Sequence, residues 1–359
     1  MLSGCAVSPR RRTLGTECNV TAGTNFHLSI DLGLPSHDVL RLDARSEGLL
    51  QQLDEGFDLI TLEDGFALPT GDGVDSVLFA NWLGARTSHA GILAGAPVNF
   101  LEPFHVSTAI ATLDYVTEGR AGLLAQSLDD NRAAAARRAT GQLNGYPDEN
   151  RQALEQDFSE AIDVIRRLWD SWEDDAVIRD RESQRFIDGA KLRYVDFRGT
   201  NFNILGPSIT PRPPQGQPVI AAIIEPGNLA SLASSIDLVF LRASDEQLPS
   251  LVKDIRSGRP ELRLFADVGF GAGWSGKETI LQGAADVEAA ITSASRLASA
   301  GVDGIRFLPR EPERDLTPLV EHVLPAIRDA GLVQPRHGSA LRERLSLPIA
   351  ANRYVGTAA

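Results

Sequence analysis

The sequence predicts a (β/α)8 barrel, a closed TIM-type barrel of alternating strands and helices. Three observations carry that expectation. Eight apolar runs of strand length recur along the 359 residues, helix-like amphipathic stretches separate them, and the runs are continuous in Val, Ile, Leu and Ala rather than alternating with polar residues. Continuous runs are what a parallel strand covered on both faces requires. Eight strand–helix units are the number that closes such a barrel, and the length suits a barrel with one insertion. A doubly wound open sheet is the alternative, but no strand is followed by a glycine-rich phosphate loop of the GxGxxG or GxxxxGK[ST] kind.

The first run, FHLSIDL (26–32), precedes the amphipathic HDVLRLDARSEGLLQQLDEG, and FDLITLED (57–64) precedes GVDSVLFANWLGART. AGILAGAPV (90–98) leads into a helix opening at Glu102-Pro103, with Val106, Ile110, Leu113 and Val116 on its apolar stripe. RAGLLAQS (120–127) precedes a long helical region ending DFSEAIDVIRRLWDSW. The remaining runs are PVIAAII (218–224), IDLVFLRA (236–243), RLFADVGF (263–270) and VDGIRFLP (302–309). AADVEAAITSASRLASAG and LTPLVEHVLPAIRDAG are the clearest helices among them. The insertion falls between strands four and five, at about residues 173–217. Within it RFIDGAKLRYVDFRGTNFNILGP alternates like a hairpin, and the prolines of ITPRPPQGQ block helix and sheet alike. The chain therefore divides into a flexible leader (1–25), the barrel with its insertion (26–335) and a C-terminal extension packing on the barrel (336–359).

Hydrophobic residues make up 43% and charged residues 23%, the balance of a globular protein with a substantial core. A formal charge of −13 argues against nucleic acid or an anionic membrane as the main partner. The only lysines are Lys191, Lys253 and Lys277, and none ends a predicted strand, which leaves Schiff-base chemistry without a placed nucleophile. Cys5 and Cys18 are the only cysteines, too few for a disulfide framework or a zinc site. LSGC at residues 2–5 is shaped like a lipoprotein cleavage box, yet only Met1 precedes it, so the basic and apolar regions that such a signal needs are missing. No apolar run approaches the ~18 residues of a membrane span, and the expected compartment is the cytoplasm.

Barrel chemistry sits at the C-terminal ends of the strands. Placement alone makes candidates of Asp31, Glu63, Asp64, Asn99, Gln126 and Ser127 in the first half, and of Glu225, Arg242, Phe270 and Arg306 in the second. Glu63 and Asp64 are strand neighbours and point to opposite faces, one to the mouth and one to the following loop. His37, in the loop after strand one, is the candidate catalytic group; its bland reading is a residue at a helix start in PSHDVL. No histidine pair has HxH or HxxxH spacing, so no metal site is expected. GFGAGWSG (269–276) reads as a loop at the mouth, and Trp169 and Trp172 as packing residues.

EPFHVSTAIATLDYVTEGRAG (102–122) resembles the third-helix pattern of the bacterial luciferase-like flavin monooxygenases, roughly E-P-[YF]-x-x-A-x-x-x-A-x-L-D-x-x-S-x-G-R. The resemblance continues in LWDSWEDDAVIRD, in the 186–222 block, and in VLPAIRDAGL followed by GSALRERLSL, in family order over about residues 26–353. The branch it is most similar to holds monooxygenases of nitrilotriacetate, pristinamycin precursors and dibenzothiophene sulfone. In this context Gly119 is a helix cap with positive φ, and Arg120 pairs either with Asp114 or with a neighbouring carbonyl.

The resemblance implies the luciferase-like barrel and a reduced flavin: FMN supplied by a separate flavin reductase or, alternatively, F420. It further implies O2 and a small organic substrate, and a homodimer or larger assembly. The cofactor contacts it implies are Asp64, Asn99, Gln126, Ser127, Glu225, Pro226, Gly227 and Arg242. The chain departs from the branch where the flavin phosphate would lie. Gly122-Leu123-Leu124-Ala125-Gln126-Ser127 stands where the branch has Gly-Trp-Asn and a Val-Thr-Ser-like run, Leu154-Glu155 where it has Arg-Tyr, and Ala222 to Pro226 where it has Gln-Ala-Gly-Ser-Ser. Carboxylates beside a dianion are unfavourable, so weak FMN binding is expected. The alternative function is a barrel with impaired flavin binding that serves as a non-catalytic binding or partner subunit.

Overall fold

Strand β1 (His27–Asp31) pairs in parallel with β2 (Leu59–Leu62), which pairs with β3 (Gly91–Pro97), and β3 with β4 (Ala121–Gln126). Helices α1 (Ala44–Gly56), α2 (Ser76–Gly84) and α3 (Pro103–Val116) connect them. The computed structural model describes residues 26–33, 44–65, 73–99, 101–127, 135–136, 150–227, 235–272, 279–281, 287–333 and 335–355.

After β4 comes the long helix α4 (Arg151–Asp170), capped by the Asn150 side chain, which accepts from Ala153 N. Two antiparallel hairpins follow, β5 (Val177–Asp180) with β6 (Arg185–Ile187), and β7 (Phe197–Arg198) with β8 (Asn203–Ile204). These strands pair only with each other, so segment 173–217 stands outside the barrel sheet. The sheet resumes with β9 (Val219–Ile224), β10 (Leu238–Leu241), helix α5 (Leu248–Gly258) and β11 (Arg263–Phe270). Helix α6 (Val287–Ser299) then leads to β13 (Gly304–Pro309). β4 pairs with β9, β9 with β10, β10 with β11, β11 with β13 and β13 with β1, all parallel, which closes the barrel.

Within the barrel sheet, one described strand lies beyond the eight expected. β12 (Thr279–Leu281) pairs with Val268–Phe270 of β11. β10 has only four residues and reaches no further than Ala266 on that edge, which leaves the upper half of β11 open to another partner.

Strand alternation sorts the barrel into two sets of side chains. Leu28, Ile30, Ile60, Leu62, Ile92, Leu123, Ile220, Val239 and Phe307 face the helices in one large core. Leu59, Leu93, Leu124, Val219, Phe240 and Phe265 face inward and form a second core inside the barrel. Helix α9 (Leu341–Arg344), which follows α7 (Pro312–Pro318), a π-helical turn and α8 (Leu324–Asp329), closes that inner core from below. Leu341 and Leu345 insert among the inner side chains, each 1% exposed. Gly91 lacks a side chain where Leu341 enters: a Cβ there would lie 2.6 Å from Leu341 Cδ1. Arg342 holds the plug through Asp237 (3.1 Å) and the Gln217 carbonyl (3.2 Å).

The α3–β4 corner follows the carbonyl alternative. Arg120 donates to the carbonyl oxygens of Ala90 (2.6 Å) and Thr87 (2.7 Å), while Asp114 accepts from Ala121 N and from the backbone and side chain of Gln215. Gly119 takes φ +88° as the chain turns into β4. The two tryptophans anchor the insertion side: Trp169 Nε1 donates to Ser107 O (2.9 Å) and Trp172 Nε1 to Ser208 O (2.8 Å). No described helix is long and apolar enough to cross a membrane.

Candidate active site

Directly above the inner apolar core, five neighbouring strands carry, within or just past their spans, charged or hydroxyl side chains that point inward. In barrel order they bring Thr61 and Glu63 (β2), Asp31 (β1), Arg306 (β13), Asp267 (β11) and Arg242 (just past β10). Arg306 is fully buried. Its Nε and Nη2 donate to both Asp267 oxygens at 2.7 and 2.6 Å, and its guanidinium carbon lies 4.0 Å from the centre of the Phe240 ring. That ring belongs to the apolar layer, so Arg306 marks the boundary between the two layers. Arg242 donates to Asp267 Oδ2 and to Glu63 Oε1, both at 3.2 Å.

Asp267 thereby takes both guanidiniums. Burial works against its charge, but Arg306 and then Arg242 hold its pKa below the ordinary carboxylate range. Both arginines are held firmly protonated by the same partners against the effect of burial. Asp31 is the carboxylate left over. Its Oδ1 accepts the Thr61 hydroxyl and lies 3.6 Å from Arg306 Nη1, while its Oδ2 accepts from Gly33 N at 3.2 Å. Burial, reinforced by the neighbouring Glu63, pushes Asp31 up to about 7 despite Arg306 and Thr61.

On the opposite arc, β3 and β4 bring Gly95 and Gln126 to the mouth and no charged side chain among their described residues. Asp64 turns away from Glu63, and its oxygens accept from Gly65 N (2.6 Å) and Ser76 N (3.0 Å), tying the β2 loop to the first turn of α2. Burial raises its pKa. Gln126 Oε1 accepts from Asp64 N at 2.9 Å across the strand ends. This close approach depends on Gly95 of β3, where a Cβ would meet Leu62 O at 2.4 Å and Gln126 Oε1 at 2.8 Å. Ser127 is half-buried beyond Gln126. Asn99 is fully buried, with its amide donating to Leu154 O and Asp157 Oδ2, both 2.9 Å, so it ties the end of β3 to α4. Phe270 faces the helices, edge-on to Phe307, and takes no part in the mouth. His37 lies outside the described residues.

Glu225, Pro226 and Gly227 form an exposed turn after β9, with Gly227 at φ +83°. The sequence reading left this corner with carboxylates and no cation. The structure corrects that: Arg151, at the first turn of α4, pairs with Glu155 (2.7 Å) and donates to the Gly227 carbonyl (2.9 Å). Arg242, one of the cofactor contacts that the resemblance implies, pairs with Glu63 and Asp267. Sequence reasoning missed Asp267, Thr61 and Arg151. A signal for the first existed: Asp267 is the lone acid in RLFADVGF and shares parity with the inward Phe265.

The sequence profile described as luciferase-like monooxygenase matches residues 50–291. The chain belongs to that family. Among curated relatives, the N-acetyl-S-(2-succino)cysteine monooxygenase of Bacillus subtilis (strain 168) is 32% identical over 161 residues, covering 44% of this chain and 35% of the relative. Component A of the nitrilotriacetate monooxygenase of Aminobacter aminovorans is 34% identical over 134 residues, 37% of this chain and 28% of the relative. The matched segments thus span well under half of these relatives' lengths. Among solved structures, a riboflavin lyase with modified FMN and riboflavin superposes with a TM-score of 0.74 at 18% identity, covering 89% of this chain and 95% of that one. That likeness establishes the shared fold.

Proposed function

We propose that this luciferase-like barrel is a flavin-dependent monooxygenase acting on a small organic substrate. The observation that carries the reading is the mouth of the closed barrel. Uncharged strand ends around Gly95 and Gln126 face a charged arc across it, while the opposite end is filled by Leu341 and Leu345. A planar, amphipathic ring system is the kind of ligand that such a two-sided mouth accommodates. Flavin, when bound, supplies the electrons and the reaction with O2.

The chain's own residues do the rest. The turn at Glu225–Gly227 and the Arg151 guanidinium form one exposed corner that brings a cation to the end of β9, a suitable place for a phosphate ester. Asp64 and Gln126 brace the strand ends beside it, and Ser127 and Asn99 border the same rim. The apolar layer beneath keeps water from entering through the barrel. FMN is the cofactor of this reading, F420 its alternative, and a separate flavin reductase its electron source. A homodimer or larger assembly in the cytoplasm completes it.

The test is a titration of the purified chain with oxidised FMN, reduced FMN and F420, followed by fluorescence and by oxygen consumption with a flavin reductase present. Protein-dependent consumption of reduced flavin and O2 is expected. Binding of none of the three cofactors would overturn the enzyme reading in favour of a non-catalytic barrel.

A further inference from the structure

We propose that Asp31 is the proton-holding acid of the barrel mouth, giving a proton to, or taking one from, the ligand that occupies the mouth. The inference deepens the monooxygenase reading and rests on it only for the identity of that ligand.

The argument begins with charge. Among the described residues, three carboxylates (Asp31, Glu63 and Asp267) share one enclosed arc with two guanidiniums (Arg242 and Arg306), so full ionisation of these five leaves one more negative than positive charge. Geometry decides which carboxylate bears the mismatch. Asp267 takes three donor contacts from the two arginines at 2.6–3.2 Å, and Glu63 takes one at 3.2 Å on a side chain that is 23% exposed. Asp31, with its side chain 10% exposed, has its nearest guanidinium nitrogen at 3.6 Å, outside hydrogen-bond range. A desolvated carboxylate that lacks a charge-assisted partner binds a proton more readily than one that has such a partner. Its midpoint at about 7 agrees with that reading.

Among the described residues, the charged groups that face Asp31 are Glu63 from the end of β2, Asp267 from β11, Arg306 from β13 and Arg242 from the end of β10. Glu63 and Asp267 oppose its ionisation and Arg306 favours it. The proton step is simple and balanced. The O–H bond of the Asp31 carboxyl breaks, a bond forms to an acceptor oxygen or nitrogen in the mouth, and the remaining carboxylate keeps the Thr61 hydroxyl and Gly33 N as donors. Solvent returns the proton through the rim formed by the partly exposed Glu63 and Arg242. A catalytic acid with a midpoint near the working pH is the most effective kind.

The experiment uses the full-length chain with 13C-labelled aspartate carboxyls, titrated between pH 5 and pH 9 as wild type, Asp31→Asn and Glu63→Gln. The wild type should show one aspartate signal titrating far above the ordinary range. Asp31→Asn should lack it. Glu63→Gln should move its midpoint down by about a unit or more, because one opposing charge is gone. A signal that persists in Asp31→Asn, or that does not move in Glu63→Gln, overturns the proposal; Glu63→Gln carries the test if Asp31→Asn does not fold. In parallel, photoreduced FMN is mixed with the protein and O2 across the same pH range. A step in the rate at the Asp31 midpoint, absent in Asp31→Asn, is expected. A profile unchanged by the substitution would reduce Asp31 to a structural role and overturn the proposal. If FMN is not engaged at all, the cofactor reading fails while the carboxyl titration still decides the proton.

Discussion

Replacing Leu341 with Ala tests whether the C-terminal segment is part of the barrel core. Leu341 is 1% exposed and packs inside the barrel with Leu59, Leu93 and Leu124. Deleting three carbons forfeits about 0.8 kcal/mol each in burial, or about 2.4 kcal/mol. The strand walls around the hole are hydrogen-bonded on both sides and collapse poorly, so the cavity adds to that. The total should be about 3–4 kcal/mol, inside the usual ~2–5 kcal/mol range for buried Leu→Ala changes. That is a large share of the ~5–15 kcal/mol by which domains are stable. The assay is urea unfolding followed by tryptophan fluorescence, with Val355→Ala, an exposed site outside the plug, as control. Gly91→Ala sharpens the test. A Cβ at Gly91 meets Leu341 Cδ1 at 2.6 Å, so this change should destabilise the wild type and be less costly beside Leu341→Ala, with a coupling of about 1 kcal/mol. A loss below about 1 kcal/mol for Leu341→Ala, together with additivity in the double variant, would refute a plugged barrel.

Three further outcomes are expected. Asp31 has its pKa raised from 3.8 to about 7 in the folded chain, so it opposes folding increasingly as pH rises from about 4 to 7 and by a constant amount above. Asp31→Asn should therefore gain stability relative to wild type between pH 4.5 and pH 8.5, by at most about 4 kcal/mol, read from urea midpoints at the two pH values. Asp58 is the opposite case. Burial works to raise it, but its contacts with His27, Leu28 N and Arg336 hold it at about 2, so its contribution is present above pH 4 and lost as pH falls through 2. Asp58→Asn should cost about 2 kcal/mol at pH 7 and little at pH 2. At the exposed corner, Arg151→Ala should weaken FMN binding about tenfold and riboflavin binding far less, as expected for one charge-assisted contact of about 1.4 kcal/mol to a phosphate. Conversely, Glu155→Tyr with Glu225→Ser should tighten FMN; equal effects on FMN and riboflavin would show that the phosphate does not sit there.

The eight barrel strands were legible because each is an unbroken apolar run, a pattern that a doubly covered parallel strand imposes. β12 was not, because its three residues follow a glycine-rich stretch and take their strand character from the open edge of β11. Within the site, Asp31, Glu63, Arg242 and Arg306 were flagged by placement and Asp267 was not, although it lies three residues before the end of β11 just as Arg306 lies three before the end of β13. Parity was the usable signal, since Phe265 and Asp267 share a face. Arg151 was missed for a different reason. The family pattern points to Leu154-Glu155, one helical turn after the residue whose side chain reaches the Gly227 turn. Asn99 was placed correctly at a strand end, but its amide is spent on α4, a partnership that only the tertiary structure reveals.

The two ends of this barrel are treated in opposite ways, and stability alone does not account for the difference. At the N-terminal end, leucines from the C-terminal segment complete an apolar core, the expected solution for a packed interior. One layer higher, a fully buried arginine lies between an aromatic face and an aspartate, and two further carboxylates and a second arginine crowd the same level. Buried ion pairs of this kind are often no more stable than well-packed apolar side chains of similar volume. Among the described residues the arc also carries three carboxylates to two guanidiniums, an imbalance that apolar packing would not have. At the closed end the ion pairs of Asp237 with Arg166 and Arg342 hold the plug in place, whereas the polar layer of the open end lies where barrels place their chemistry and is better explained by what enters the mouth than by what holds the barrel together. Because the other end is plugged, a ligand must meet that arc from above, past Glu63 and Arg242, before it reaches Asp31.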